Sequence, residues 1–398
     1  MAGSNIFTHV LAAGETATPP NAVSPPIYQT SVYAFDDVAQ MDDLLHHPRT
    51  GFTYSRGKNP NADALASWVA QLEGTEAALV TSSGTAALMT AILKLRPAGG
   101  RIVLPLEVYG GTVNIAQKIL APLGYETVRV DVHDAEAVRT VLAPGSGILV
   151  LETLSNPLGW IPELDHLIAL AHAQNTPVLV DNTFATPYHA QPAQWGADLV
   201  VHSLTKFIAG HSDVILGAVA GSAERVRAAA EIVDGGGFTP DPFAAWLALR
   251  GARTLALRME RASQNALTLA AALESMAGIA RTYYPGLMSH PDHANAERLL
   301  QRGYGAIVTI SLTGGPAAVQ RLIPALQWVR LVPSLGDLST TVAHPSPPRP
   351  APTGSSVPAP APSSSFIDGS QVRISVGIDA VDEVAEDFRQ ALATASPS

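Results

Sequence analysis

Between residues 77 and 221 the chain alternates short apolar runs with polar turns and helix-like stretches, and this rhythm constrains its fold more than any other feature. The runs are 77–80 (AALV), 102–105 (IVLP), 127–132 (TVRVDV), 147–153 (GILVLET), 177–183 (PVLVDNT), 197–203 (ADLVVHS) and 215–221 (ILGAVAG). GILVLET is apolar without alternation, as expected of a strand covered on both faces. The stretches TAALMTAILKL, GTVNIAQKILAPLG and IPELDHLIALAHAQN read as intervening helices. Strands and helices in turn predict an α/β fold, with a mainly parallel seven-stranded sheet between helices. Upstream, Leu65, Trp68, Val69 and Leu72 recur at helical spacing and the helix stops at Gly74.

The flanks differ. Residues 1–60 contain Pro19, Pro20, Pro25, Pro26 and an aromatic-rich stretch from Tyr28 to Phe35. They read as an irregular N-terminal arm that packs on a neighbouring subunit. Residues 61–250 form the expected large domain. Residues 251–398 form a connecting helix and a smaller C-terminal α/β domain. One long helix is expected over 242–276, with Arg250, Arg253, Arg258 and Arg261 among Leu and Ala, and strands over 303–312 and 371–378. Between those strands, 345–365 is rich in Pro, Ser and Ala and reads as a flexible or polyproline-like loop.

Composition removes several function classes. The 398 residues allow two or three domains. Hydrophobic residues make up 47% and charged residues 15%. That surplus calls for a large core or a buried interface and excludes disorder of the whole chain. A net charge of −10 argues against broad nucleic-acid or anionic-membrane binding. With no cysteine, disulfides, thiolate metal sites and a catalytic thiol are excluded. No secretory signal and no run of about 18 apolar residues is visible, so a cytoplasmic location is expected. His290 and His293 have a metal-like spacing but no third ligand nearby, so no metal is expected.

Three segments carry chemistry. In VVHSLTKFIAGHSD, Lys206 directly follows an apolar run, with Ser203 and Thr205 beside it. A strand-end lysine is often a plain surface residue. Held near a buried site, its amine would instead lose charge and become a Schiff-base former, with hydroxyls beside it suited to a phosphate. In VLVDNTFATP, Asp181 ends a central strand, on the edge where ligands bind in open α/β sheets. It could cap the turn, or it could pair with a ring nitrogen that must stay protonated. In TSSGTAAL, a strand, a turn with Gly84 and a helix start make an anion site. Neither GxGxxG nor a Walker A sequence occurs, which argues against a nicotinamide dehydrogenase.

Together these parts resemble the Cys/Met-metabolism (trans-sulfuration) family of pyridoxal-phosphate (PLP) enzymes, of fold type I. The resemblance spans about residues 5–395 and rests on blocks in the family's order. They include YQTSVYAF, YSRGKNPNADAL, LEGTEAALVTSSGTAAL, YGGT, LETLSNP, DNTFATPY, LRGARTLALRME, PSLGD and VRISVGID. It implies PLP as cofactor, an amino-acid substrate, and a homo-oligomer built on a dimer of active sites, as a tetramer. It implies that Lys206 forms the Schiff base and shuttles protons, and that Asp181 pairs with the pyridine nitrogen. Tyr109 would stack on the ring and serve proton transfer. Gly84, Thr85, Ser203 and Thr205 would hold the phosphate, and Tyr54 and Arg56 would bind the phosphate of a neighbouring subunit. Arg373, with Asn156 and Ser334, would hold the substrate carboxylate, a task suited to a planar guanidinium.

The resemblance implies γ-elimination or γ-replacement. Ser339 stands where members that handle cystathionine often carry Glu. With Asp337 it points toward a methionine γ-lyase or an O-acylhomoserine sulfhydrylase, leaving cystathionine γ-synthase or γ-lyase as the alternative. Gly111 stands where methionine γ-lyases typically have cysteine. Thr85 and Asn61 replace the usual Met and Thr, and the stretch after His344 departs from the family's pattern. A non-catalytic binding protein is disfavoured, because Lys206, Asp181 and Arg373 are all present.

Overall fold

A computed structural model describes residues 5–12, 22–47, 51–95, 100–142, 147–345 and 367–395. All seven expected runs are strands: β1 Ala77–Thr81, β2 Gly100–Pro105, β3 Tyr125–Val130, β4 Gly147–Glu152, β5 Val178–Asp181, β6 Leu199–Ser203 and β7 Gly217–Gly221. They form one seven-stranded sheet in the order β1-β7-β6-β5-β4-β2-β3. The pairings among β3, β2, β4, β5 and β6 are parallel. β7 runs antiparallel to both its neighbours, β1 and β6.

The sheet is apolar on both faces, which explains its continuous apolar strands. Ile148, Val150, Leu179, Leu199 and Val201 pack with helix Gly84–Leu95. Leu149, Leu151, Val178 and Val180 pack on the other face with helix Leu164–Ala173. Helix Pro60–Glu73 starts on the Asn59 cap, with Pro60 in its first turn, and ends on Gly74 at φ 69°.

A second sheet holds β8 Ile279–Tyr283, β9 Ile307–Leu312, β10 Arg330–Leu331, β11 Thr341–Ala343 and β12 Gln371–Ser375, in the order β10-β11-β12-β9-β8. Helices Leu255–Glu274, Gly315–Ala325 and Val381–Ala395 cover it, with Val308, Ile310, Val372, Ile374 and Phe388 in its core. Among the described residues no helix is long and apolar enough to cross a membrane.

Several expectations need correction. The first 60 residues are not wholly irregular. Helix Ile6–Ala12 sinks Val10 into the core around Trp68, and Trp68 Nε1 donates to the Val10 carbonyl at 3.1 Å. Helix Val38–His46 buries nothing and starts where Asp37 accepts from the Gln40 N–H. The long helix over 242–276 is two, Pro242–Ala252 and Leu255–Glu274. At the break Thr254 turns its hydroxyl back to the Gly251 carbonyl. The expected strands 303–312 and 371–378 are shorter, and β8, β10 and β11 were not foreseen. Nearly all of the Pro/Ser-rich stretch 345–365 lies outside the described residues.

Candidate active site

The parallel strands end side by side, and the three central ones close on polar residues. Glu152 closes β4, Asp181 closes β5 in register with it, and Ser203 closes β6. Glu107 and Tyr109 follow β2. A crevice at this edge is where α/β sheets place ligands.

Lys206 sits on the turn after β6. Its Nζ donates to Ser334 Oγ at 2.8 Å. Burial lowers the pKa of this amine, and the neighbouring Arg373 charge lowers it further. A lysine so placed is closer to the free amine that nucleophilic or base chemistry needs. Gly336, at φ 83°, lets the segment carrying Ser334 approach: a Cβ there would stand 2.6 Å from the Phe207 nitrogen.

Arg373, on β12, reaches the same point from the second sheet. Its guanidinium donates to Asn156 Oδ1 at 3.0 Å and to the Ser334 carbonyl at 2.9 Å. Burial pulls its pKa down to about 10, and its buried Nε has no partner among the described residues. Thr309, opposite Arg373 on β9, donates to the Pro157 carbonyl at 2.6 Å. The second sheet thus docks directly on the Asn156–Pro157 turn.

Asp181 is held by its own turn. Thr183 donates its N–H at 3.0 Å and its hydroxyl at 2.5 Å to Asp181 Oδ1. The Ser203 N–H donates to the Thr183 hydroxyl at 2.8 Å. Burial raises the Asp181 pKa, and the Thr183 bonds oppose that rise. Among the described residues Asp181 has no ion-pair partner.

Gly84 heads helix Gly84–Leu95, and a Cβ there would stand 2.7 Å from Ser203 Cβ. Exposed Thr85 follows it. The helix start and Ser203 therefore face each other closely. Thr205 uses its hydroxyl to close the loop after Lys206, donating to the Leu216 carbonyl at 3.2 Å and accepting its N–H at 3.0 Å. Tyr109 is 45% exposed, and its ring lies over Gly111, whose Cβ would stand 2.2 Å from Tyr109 Cε1.

Tyr54 and Arg56 join neither Lys206 nor Arg373 within this chain. The Arg56 guanidinium lies 5.7 Å from the Tyr54 ring centre and donates to the Asp234 carbonyl at 3.0 Å. His290 and His293 bond carbonyls, of Leu158 at 3.2 Å and of Pro285 at 2.8 Å.

The sequence reading passed over Thr183, Glu107 and Glu152. Glu152 Oε1 accepts the Tyr109 N–H at 2.8 Å. Burial, and then the Asp181 charge, raise its pKa far above the usual range. Glu107 Oε1 accepts the Ser155 hydroxyl at 2.5 Å and the Leu158 N–H at 3.1 Å. Burial lifts the Glu107 pKa to about 7. The one available signal was position: each acid ends or directly follows a parallel strand.

Residues 7–393 match the family described as Cys/Met metabolism PLP-dependent enzyme. The chain is 36% identical to a cystathionine γ-synthase of Mycobacterium leprae over 98% of its length and 97% of the relative's. It is 34% identical to an O-succinylhomoserine sulfhydrylase of Pseudomonas aeruginosa, over 98% and 96%. The solved cystathionine γ-synthase of Xanthomonas oryzae pv. oryzae in complex with cystathionine superposes with a TM-score of 0.90 at 33% identity, covering 98% of each chain.

Proposed function

The chain belongs to the Cys/Met-metabolism PLP-dependent enzymes and has their fold type I architecture, a large mixed sheet and a smaller C-terminal domain; from that premise we propose that it catalyses γ-replacement of the cystathionine γ-synthase kind. The thiol sulfur of a cysteine would displace the acyloxy group of an O-acylated homoserine. The Cγ–O bond breaks, a Cγ–S bond forms, and the acyl group leaves as a carboxylate.

The observation that carries the reading is the contact chain Lys206–Ser334–Arg373–Asn156, which sets an amine of lowered pKa beside a buried guanidinium. The γ-synthase relatives then favour synthesis of cystathionine over the lyase or sulfhydrylase suggested by Ser339 and Asp337. Asp337 uses its carboxylate structurally, accepting from the Ser339 N–H of its own turn at 3.0 Å and from the hydroxyl of Ser212 on the loop after Lys206. It is therefore a weak guide to substrate. Replacement by sulfide is the second reading, favoured by the Pseudomonas aeruginosa relative.

PLP is the family's cofactor; when bound it supplies an electron sink for the carbanion formed next to the substrate's amino group. The residues present fit it. Asp181 is an acid enclosed at the strand end and, among the described residues, forms no ion pair, which suits a protonated ring nitrogen. Where Gly84 packs against Ser203, the helix start brings its N–H groups next to the Ser203 hydroxyl, a combination that suits a phosphate. Lys206 would attach the cofactor and carry a proton between Cα and the atoms beyond it. Tyr109 would stack on the ring and pass a proton to the leaving group. Gly84, Thr85 and Ser203 would bind the phosphate, with Thr205 closing the loop behind them. Arg373, Asn156 and Ser334 would orient the α-carboxylate, so that the α-proton faces Lys206.

The proposal includes a homo-oligomer, at least a dimer and on the family's pattern a tetramer, in which Tyr54 and Arg56 serve a neighbouring copy's phosphate. Within it, residues 61–250 form the cofactor-binding unit and 251–398 the C-terminal unit.

The test is a product assay on the purified protein with O-succinylhomoserine and either cysteine or sulfide, and with methionine alone. Cystathionine should be the main product. Faster homocysteine formation from sulfide would move the assignment to the second reading, and 2-oxobutanoate from methionine would restore the lyase. Lys206→Ala should abolish both turnover and the borohydride-sensitive visible band.

A further inference from the structure

Two loops flank the crevice, 106–109 carrying Tyr109 and 155–158 carrying Asn156. We infer that Glu107 and Glu152 are positioning residues that lock these two loops together, and so set the Tyr109 ring relative to the Arg373–Asn156 pair. The inference rests on the proposed roles of Tyr109, Arg373 and Asn156.

The contacts are specific. Glu152 Oε1 accepts the Tyr109 N–H at 2.8 Å, and the Asn156 N–H faces the same carboxyl. One buried group thus anchors the Tyr109 main chain and lies against that of Asn156. Glu107 Oε1 spans the gap from the other side, accepting the Ser155 hydroxyl at 2.5 Å and the Leu158 N–H at 3.1 Å. The Trp160 side chain also donates to it. Ser155 Oγ in turn accepts the Trp160 N–H at 3.0 Å, closing the turn that presents Asn156. Behind the Tyr109 loop, Arg129 donates from Nε to the Pro105 carbonyl at 2.8 Å and from Nη2 to the Leu106 carbonyl.

The cost of these acids argues for a role. Oε2 of each glutamate is shut off from solvent and has no hydrogen-bond partner among the described residues. Glu152 stands beside Asp181, and Glu107 also faces it. The cations nearby are Arg129, facing Glu152, and His133, which is itself held by Asp292 at 2.9 Å. Neighbouring acids enclosed with idle oxygens are unfavourable for folding, whether they stay charged or are forced to hold a proton. Departures of this kind are expected where geometry serves function.

Three variants test the clamp: Glu107→Gln keeps the acceptor oxygen, Glu107→Asp keeps the charge but falls short, and Glu107→Ala removes both. Amide hydrogen exchange of 106–112 and 155–160 is measured on the apo protein, then kcat, KM and visible circular dichroism on the cofactor-loaded protein. Ala and Asp should speed exchange in both segments together, lower kcat/KM on the order of a hundredfold and change the visible dichroism. Gln should restore exchange and most of the activity. Unchanged exchange in Glu107→Asp, or a Gln variant no better than Asp, overturns the clamp, and this comparison stands even if the Ala variant does not fold. Coupled exchange in a wild-type protein that makes no cystathionine would instead keep the clamp and sink the proposed reaction.

Discussion

Lys206 and Tyr109 enter one crevice from different strand ends, and they are held by different physics. The turn bearing Lys206 is held by donors. Arg258 donates to the carbonyls of Phe207 at 2.5 Å, Ile208 at 2.8 Å and Gly251 at 3.0 Å. Burial draws its pKa down to about 10, which still leaves it charged at neutral pH. The loop bearing Tyr109 is held by acceptors, the carboxylates of Glu107 and Glu152, whose charge depends on pH. The lesson is that one wall of the crevice keeps its geometry across the working range, while the other carries a built-in dependence on protonation.

The harshest way to break this contrast is Arg258→Met. It removes the donors to three buried carbonyls, at about 1–3 kcal/mol for each group left unpaired. Urea unfolding should show a loss of about 3 kcal/mol or more, little changed between pH 6 and pH 8. A loss under about 1 kcal/mol would mean that the Lys206 turn does not depend on that guanidinium.

Glu107→Gln probes the opposite wall. The folded-state pKa of Glu107, about 7, lies above its ordinary 4.5, so the folded chain holds this proton longer than the unfolded chain. Stability from this group is therefore full below about pH 4.5 and is lost as pH rises through 7, by at most about 3 kcal/mol. The variant has no such proton. Its stability relative to wild type should therefore rise between pH 5 and pH 8, as read by denaturant midpoints. A flat difference would show that the carboxyl is effectively solvated.

The smallest effect is expected from Ser334→Ala, which removes the hydroxyl that accepts from Lys206 Nζ at 2.8 Å. One neutral acceptor of this kind is worth about 1 kcal/mol. A decrease in kcat/KM of about fivefold is expected, with little change in unfolding midpoint. A decrease of a thousandfold would make Ser334 a chemical participant.

Much of this was legible in the residues. The runs GILVLET and PVLVDNT announced buried strands, and Asp181 at a strand end and Lys206 just past one lie on the sheet edge that carries the candidate site. The illegible parts share one property: their meaning depends on residues far away in the chain. β10 and β11 are two and three residues long and carry no period of their own. Helix Ile6–Ala12 makes sense only beside Trp68 and Tyr188. In LETLSNP the eye goes to Asn156, while Glu152 looks like an ordinary strand end until Tyr109 donates to it across 43 positions.

By itself, then, the sequence determined the alternating architecture and the residue types that can do the chemistry, because burial along contiguous residues writes itself into local apolar periodicity. Only the tertiary structure decided which charges are buried, which loops they join, and that Arg373 meets Lys206 through Ser334. A polar side chain's pKa and partners are set by whatever folds against it, and no local pattern encodes that neighbour.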